Sequence, residues 1–179
     1  MFIGRKYFEL EHVVLRPFKV FDAADVYEYA SDEDTLRYLT WYGLKSLDDA
    51  ADFVKKYYMT VPGIYAIEDI SSKKCIGCFE LKRIPRDEKV VFGYVLNRKF
   101  WGRGYMTEVL CSMINYVFEE LKINRVEAIH YSPNLASGRV MEKAGMRKEG
   151  LGVEEVKLKG SFCDVVHYGL TKRQWQENR

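Results

Sequence analysis

Two glycines placed directly before an amphipathic segment are the residues of this chain best suited to bind an anionic ligand. Gly102 and Gly104 lie in the segment Trp101-Gly102-Arg103-Gly104-Tyr105-Met106-Thr107. Glycine lets the backbone approach a ligand closely, and the first amides of a helix have no intrahelical partner. Together with the helix dipole, these amides favour a phosphate group. The alternative is an ordinary turn at the start of a helix, with a solvated basic rim.

The common nucleotide-binding motifs do not accompany these glycines. A P-loop needs Gly-x4-Gly-Lys followed by Ser or Thr, and the sequence has no such run. A dinucleotide fingerprint would need a glycine at position 107, where Thr107 stands, and would begin directly after a strand, whereas residues 97–101 intervene. Both of these nucleotide-binding folds are therefore disfavoured, although Arg98, Lys99 and Arg103 supply local positive charge for an anionic ligand.

Cysteine and histidine residues do not form a metal-ligating pattern in the sequence. Cys75 and Cys78 make a C-x-x-C pair, but residues three apart on a strand point to opposite faces, and no second pair follows. His12, His130 and His167 have no ligand-spaced partner. His130 could face a cleft from the end of its strand, but a packed structural histidine is the better interpretation. We therefore predict no metal.

Composition indicates one ordinary domain. The chain has 179 residues, 47% hydrophobic and 30% charged, which excludes a disordered chain and allows a packed core. The formal net charge of +2 predicts no general attraction to nucleic acid or to an anionic membrane. The sequence shows no apolar core of a signal peptide and no run near the ~20 apolar residues of a membrane span. We predict a single cytoplasmic domain over residues 1–179, with reduced cysteines.

The helix that follows the glycines has the clearest periodic pattern. Apolar residues recur at a 3.6-residue period over 103–122, so one stripe runs from Met106 to Leu121. A second helix is predicted from the cap residue Asn134 to Ala144, before Gly145. The other expected elements are a strand at 7–16, helices at 22–29 and 46–58, and strands at 64–70, 75–82, 89–96, 125–130, 146–158 and 162–170. Hairpins plus one strand–helix–strand crossover predict an α/β fold with a mixed sheet.

Segments along nearly the whole chain resemble one protein family. The most informative are Gly93-Tyr94-Val95-Leu96 and Trp101-Gly102-Arg103-Gly104-Tyr105, joined by residues 13–18, 76–77, 134–146 and 164–168. Each segment alone is unspecific, but their order and spacing together are specific. The chain resembles the GNAT superfamily of acyl-CoA-dependent N-acyltransferases, and most of all its ribosomal-protein N-acetyltransferase branch, the RimJ/RimL type.

The resemblance implies a mostly antiparallel central sheet that splays between two parallel strands, with helices on both faces, and acetyl-CoA as co-substrate. The pantetheine arm would pair with main-chain groups of Val95, Leu96 and Asn97. The pyrophosphate would be held by Gly102, Arg103, Gly104, Tyr105, Met106 and Thr107. Asn134 would contact the pantetheine or the acetyl end. The family usually has Gln or Arg where Lys99 stands, which should matter little because the loop contacts a ligand mainly through backbone amides.

Direct acetyl transfer to an amine needs a base that takes the ammonium proton and an acid that protonates the leaving thiolate. Many members carry an acidic tyrosine where Met141 stands, whereas the RimJ/RimL-type branch offers the serine at position 137. Ser137 shares a helix face with Val140, Met141 and Ala144, so its hydroxyl should point inward and could protonate the thiolate; a packing or capping role is the alternative. Glu80 lies in an apolar strand, where desolvation should raise its pKa as needed for a base.

Two alternatives to the Glu80 base and several acceptors stay open. Glu80 could instead pair with Lys82 or Arg83, and a water chain could accept the proton. Tyr38, Trp41 and Tyr42 are predicted to line the acceptor pocket, although core packing also explains such aromatics. The acceptor would be a protein N-terminal amine or a small amine (a polyamine, amino sugar or amino acid). A third interpretation is that the chain is a CoA-binding module without catalytic activity. The family resemblance also allows a homodimer.

Overall fold

The computed structural model describes residues 6–178 and places an eight-stranded sheet there. The strands are β1 (Phe8–Glu9), β2 (Val13–Arg16), β3 (Ile64–Asp69), β4 (Cys75–Ile84), β5 (Lys89–Leu96), β6 (Arg125–Tyr131), β7 (Arg147–Leu158) and β8 (Ser161–Thr171). The α-helices are α1 (Ala23–Ala30), α2 (Glu33–Leu36), α3 (Leu47–Phe53), α4 (Tyr105–Glu119), α5 (Leu135–Lys143) and α6 (Lys172–Glu177).

The strand order is β1-β2-β3-β4-β5-β6-β8-β7. β5 and β6 are parallel, and their ladder joins Lys89–Val91 to Arg125–Glu127, while β5 itself continues to Leu96. The pairs β1–β2, β2–β3, β3–β4, β6–β8 and β7–β8 are antiparallel. The predicted α/β fold with a mixed, mostly antiparallel sheet is confirmed.

The chain divides into two compact units. Among the described residues, the first unit contains 6–81 together with Tyr94–Tyr105, and the second contains Lys82–Gly93 together with 106–178. The core of the first unit is a buried cluster made of Phe18, Val26, Tyr29, Ala30, Val54, Tyr58, Ile64, Ala66, Cys75 and Cys78. In the second unit, the buried side chains of α4 are Met106, Val109, Leu110, Met113, Ile114, Tyr116, Val117 and Phe118. The predicted apolar stripe is thus the buried face of α4 from Met106 to Phe118, whereas its last member, Leu121, lies beyond the end of the helix at Glu119.

Local capping signals predicted two helix starts correctly. The Ser46 side chain accepts a hydrogen bond from Asp49 N at the start of α3, and Asn134 accepts one from Ser137 N at the start of α5. Gly145 follows α5 with φ +84°, as expected for a residue that ends a helix in the left-handed region. Helices α2 and α6 were not predicted, since four to six residues carry too little periodicity to be recognised.

Three expectations about elements of the first unit need correction. The strand predicted at 7–16 is a hairpin of β1 and β2, closed by a hydrogen bond from Leu10 N to Val13 O of 2.9 Å. The helix predicted to reach Tyr58 is α-helical only to Phe53 and continues as one π-helical turn, Val54–Tyr58. Asp22 precedes α1 as predicted, but its side chain makes no cap hydrogen bond, because the carboxylate accepts two hydrogen bonds from Arg16 instead.

A β-bulge in β4 overturns the expected orientation of its cysteines. Gly77 pairs with Ile67 and Cys75 pairs with Glu68, so two residues of β4 advance against one of β3. A bulge reverses the alternation of faces from that point along the strand. Cys75 and Cys78 therefore lie in the same buried cluster instead of on opposite faces. Burial raises the pKa of the Cys75 and Cys78 thiols, which keeps both protonated near neutral pH.

Candidate functional site

The glycine loop has the open backbone conformation that an anion cradle needs. Gly102 has φ +76° and Gly104 has φ +84°, both in the left-handed region, and α4 begins directly afterwards at Tyr105. A Cβ built at either glycine would meet no heavy atom within 4 Å. Glycine is therefore required by backbone conformation and not by crowding, and the space above the loop is open to a ligand. Both features fit a pyrophosphate held by the amides at the start of α4.

A network of hydrogen bonds braces the turn that leads from β5 into this loop. Asn97 Oδ1 accepts from Lys99 N at 3.0 Å, which caps the 3-10 turn Arg98–Phe100. Phe100 N donates to Asn97 O at 2.9 Å, and Trp101 N donates to Arg98 O at 3.1 Å. The Arg103 guanidinium donates back to Lys99 O at 3.0 Å. The turn that precedes the loop is therefore stabilised by several hydrogen bonds within residues 97–103.

The main-chain groups at the end of β5 are partly engaged within the protein. Asn97 N donates to Ile76 O of β4 at 2.7 Å, and Leu96 O accepts from the Trp101 indole N–H at 2.7 Å. The β5–β6 ladder ends at Val91, before these residues. Pairing of Val95, Leu96 and Asn97 with a pantetheine arm stays a prediction. It concerns their main-chain groups other than Asn97 N and Leu96 O, which are already hydrogen-bonded within the protein.

The basic cluster of the loop is partly neutralised by carboxylates of α1 and of the segment around α2. Arg98 pairs with Asp32 at 3.1 Å and with Asp34 at 3.4 Å. Lys99 pairs with Glu28 at 2.8 Å. The Arg103 side chain instead lies over the Phe100 ring, with its Cζ 4.9 Å from the ring centroid. Arg98 and Lys99 therefore have carboxylate partners, and a contribution of all three cations to a phosphate site stays a prediction.

The candidate base lies on β4 of the first unit. Glu80 pairs with Ile64 of β3 in the strand register and is half-buried, whereas its neighbours Phe79 and Leu81 are buried. Burial, followed by the negative charge of Glu80, raises the pKa of Tyr57. The half-buried carboxylate retains contact with solvent, through which a proton can leave.

The predicted acceptor aromatics differ in their environment. Tyr42 is 75% exposed, and Tyr38 is half-buried. Trp41 packs against the buried cluster of the first unit, and its ring centroid lies 5.8 Å from that of Phe53. Phe53 in turn stacks on Tyr57 at 5.4 Å. Phe53 is not among the residues predicted from the sequence, although its spacing of four residues from Tyr57 on a helical segment was a usable signal.

In the second unit, Asn134 and Ser137 bind each other at the start of α5. Asn134 Nδ2 donates to Ser137 Oγ at 3.0 Å, and Ser137 N donates to Asn134 Oδ1 at 3.4 Å. Ser137 is half-buried, as its helix face predicted. A donor aimed at a hydroxyl oxygen stabilises negative charge on it and makes its proton a better donor. Of the other loop residues in this unit, Met106 is buried and Thr107 is half-buried, both in the first turn of α4.

His130, also in the second unit, packs beneath α5. A Cβ at Gly138 would lie 2.7 Å from His130 Nε2, so only glycine permits this approach of helix and ring. His130 Nδ1 lies 2.9 Å from Tyr131 O, and the ring centroid is 5.6 Å from that of Tyr168. Burial, with a hydrogen bond to Glu142, raises the pKa of Tyr168 to about 12. These contacts fit the structural role predicted for His130.

Two negative findings concern the described residues only. Residues 6–178 contain no group of three or more His, Cys, Asp or Glu side chains arranged to hold a metal ion. No helix in that part of the chain is long and apolar enough to cross a membrane.

Comparison with known proteins gives a consistent result. The acetyltransferase (GNAT) domain family matches residues 12–147. The chain is 28% identical to the uncharacterized N-acetyltransferase YnaD of Bacillus subtilis, over 92% of this chain and 96% of that protein. It is 27% identical to the ribosomal protein uS5-alanine N-acetyltransferase of Escherichia coli, over 64% of this chain and 60% of that one. A crystal structure of a GNAT-family acetyltransferase from Bacillus anthracis superposes with a TM-score of 0.85 at 27% identity, covering 94% of this chain and 99% of that one.

Proposed function

This chain belongs to the GNAT family of acetyltransferases, and from that premise we propose that it transfers an acetyl group from acetyl-CoA directly to the N-terminal amine of a protein or peptide. The observation that carries the proposal is the open loop of Gly102 and Gly104 at the start of α4. An open loop whose glycines have positive φ, placed at a helix N-terminus, suits the diphosphate of a CoA thioester. We also propose that residues 1–179 form one acetyltransferase domain.

The cofactor contacts follow from this assignment. The amides of Gly102, Gly104, Tyr105, Met106 and Thr107 would bind the pyrophosphate, and Arg103 would add its charge. Main-chain groups of Val95 and Leu96 and the side chain of Asn134 would contact the pantetheine. Acetyl-CoA supplies the thioester that carries the acetyl group, and the residues of the chain orient it and move the protons.

The proton transfers are assigned to two side chains. Glu80 would accept the proton of the acceptor ammonium, directly or through water, so that the free amine forms the new C–N bond. The C–S bond then breaks, and Ser137 would protonate the departing thiolate. Ser137 would regain a proton from the acetylated nitrogen, directly or through water, because that nitrogen must lose its second proton to become the amide. The hydrogen bond from Asn134 Nδ2 to Ser137 Oγ supports this role, because it stabilises the charge left on the oxygen.

The acceptor assignment rests on an aromatic segment and on one relative. The Escherichia coli enzyme is named for the alanine of ribosomal protein uS5 that it acetylates. Tyr42 is exposed and Tyr38 and Trp41 are half-buried, and these three aromatics would contact the peptide N-terminus. A small amine such as a polyamine, an amino sugar or an amino acid is the competing class, and activity on peptides separates the two.

Acetyl-CoA is expected to raise the melting temperature of the purified protein by several degrees. A ligand at about 100 times its Kd adds about 2.7 kcal/mol to the free energy of unfolding. NADH and ATP serve as negative controls, and turnover is then measured with an alanine-initiated peptide, spermidine, glucosamine and free alanine. A folded protein that shows no shift would refute the acetyl-CoA assignment, and turnover of spermidine without turnover of the peptide would reassign the acceptor.

A matched pair of glycines controls this test. Gly104 and Gly145 both have φ +84° and open space around a Cβ, so alanine at either one strains the backbone similarly, by about 1–2 kcal/mol. Only Gly104 belongs to the proposed cradle. The rise in melting temperature with acetyl-CoA should be smaller in Gly104→Ala and unchanged in Gly145→Ala. Equal rises in both variants would show that the glycine loop does not bind acetyl-CoA.

The base assignment predicts that Glu80→Gln lowers kcat by about tenfold and flattens the acid limb of the pH–rate profile. The loss stays moderate because water can relay the proton when the carboxylate is absent. The profile is compared with that of wild type at saturating acetyl-CoA, with Asp52→Asn as a control on an exposed helical carboxylate. An unchanged profile would remove Glu80 as the base.

A further inference from the structure

A single carboxylate on α1, that of Glu28, accepts hydrogen bonds from two side chains of the turn that leads into the glycine loop. Glu28 Oε1 accepts from Asn97 Nδ2 at 3.0 Å and from Lys99 Nζ at 2.8 Å. Its other oxygen, Oε2, accepts from Lys74 Nζ at 3.1 Å. The hydrogen bond from Lys99, with those from Asn97 and Lys74, outweighs the opposing effect of burial and lowers the pKa of Glu28 to about 2, so the group is ionised throughout the working pH range.

Asn97 is the residue through which this carboxylate reaches the backbone. Asn97 is only 6% exposed, and its side-chain amide binds Glu28 through the nitrogen and the turn through the oxygen. The amide nitrogen donates to Glu28, which leaves Oδ1 aimed at Lys99 N, 3.0 Å away. An amide group held at one end by a charged acceptor cannot rotate, so Glu28 fixes the orientation in which Asn97 caps the turn.

The capped turn in turn sets where the glycine loop begins. The main-chain N–H of Trp101 donates to Arg98 O, and the Arg103 guanidinium donates to Lys99 O. These two hydrogen bonds fix the segment 101–103 to the turn at 98–100. A shift of Asn97 would therefore be passed along to Gly102 and Gly104. Ligand binding by backbone amides depends on such placement, because a misplaced N–H cannot adjust as a flexible side chain does.

We propose that Glu28 is a positioning residue for acetyl-CoA, which holds Asn97 and Lys99 so that the amides of the glycine loop are pre-organised for the pyrophosphate. This inference rests on the proposed function. Glu28 does not contact the ligand in this arrangement and acts through Asn97. The opposite expectation is that Glu28 withholds Lys99 from the phosphates, in which case its removal would tighten acetyl-CoA binding.

The experiment measures the Kd of acetyl-CoA by titration calorimetry for wild type, Glu28→Ala and Glu28→Gln. Loss of the charged acceptor in Glu28→Ala is expected to weaken binding about tenfold. Glutamine keeps an oxygen for Asn97 Nδ2, so Glu28→Gln should weaken binding only about threefold. In steady state the KM for acetyl-CoA should rise with little change in kcat, because the groups that move protons are untouched.

Lys74→Met is the matched control. It removes an ion pair from the same carboxylate, but at the oxygen that does not bind Asn97 or Lys99. A purely structural role of Glu28 would give Lys74→Met and Glu28→Gln similar effects on melting temperature and on affinity, whereas positioning predicts wild-type affinity for Lys74→Met alone.

The outcomes separate the inference from the function on which it rests. Wild-type affinity in Glu28→Ala, or tighter binding in either Glu28 variant, would overturn the positioning role while leaving the acetyltransferase assignment intact. A folded wild-type protein that fails to bind acetyl-CoA would overturn both. Should Glu28→Ala fold poorly, the nearly isosteric Glu28→Gln variant still decides between weaker and tighter binding.

Discussion

Ser137→Ala is expected to lower kcat by about 100-fold while acetyl-CoA still binds. A positioned general acid contributes roughly 100-fold or more to such a step, and without it the thiolate must leave unprotonated or take its proton from water. The cap of α5 survives in the variant, because the Asn134 side chain accepts from the main-chain N–H of residue 137 and not from the hydroxyl. The loss should therefore fall on kcat, measured at saturating acetyl-CoA and acceptor.

Ser112→Ala is the control for this prediction. Ser112 is also a half-buried serine on a helix, α4, but has no assigned role. Its kcat should equal that of wild type, and both variants should melt at similar temperatures. A wild-type kcat in Ser137→Ala would show that another group or water protonates the thiolate, and would leave Ser137 as a partner of Asn134 in the cap.

Arg16→Met is expected to lower the free energy of unfolding by about 3–5 kcal/mol. Arg16 and Asp22 are each 2% exposed, and the guanidinium donates to Asp22 at 2.7 and 2.8 Å and to Glu68 at 2.6 Å. Burial alone would lower the pKa of Arg16, but hydrogen bonds to the two carboxylates outweigh it and raise the pKa. Methionine would leave the Asp22 charge buried without its partner, which costs more than the pair itself contributes.

Urea unfolding of Arg16→Met and Arg37→Met tests this expectation. Arg37 pairs with Asp34 on the surface, with 62% of its side chain exposed, so its loss should change stability by no more than about 1 kcal/mol. Similar small changes in both variants would mean that water or a neighbouring donor replaces Arg16 beside Asp22. The double variant Arg16→Met, Asp22→Asn should recover part of the loss, because it removes the stranded charge.

Elements defined by their own residues could be predicted from the sequence. The stripe from Met106 to Leu121 predicted α4, and Asn134 with Gly145 bracketed α5, because periodicity and capping are local properties. The glycine loop was predicted for the same reason. Its positive φ values follow from two glycines that stand before a helix.

Features that depend on distant partners could not be predicted. Asp22 has the right position for a helix cap, yet its carboxylate binds Arg16, because a buried guanidinium is a stronger partner than a helix amide. The pairing of Lys99 with Glu28 joins residues 71 positions apart, and sequence pattern carries no sign of it. The bulge in β4 is likewise invisible, since it is a relation between β4 and β3 and not a property of either strand.

The hydrogen bond from the Trp101 indole to Leu96 O also gives the protein an optical reporter. Indole emission responds to hydrogen bonding and hydration of the ring, and Trp101 is 49% exposed while its N–H is tied to the last residue of β5. The other two tryptophans are held elsewhere: Trp41 against the buried cluster of the first unit and Trp175 by a hydrogen bond to Asn115. Fluorescence from Trp101 can therefore report on the end of β5 in the unlabelled chain, against the emission of Trp175 in the second unit.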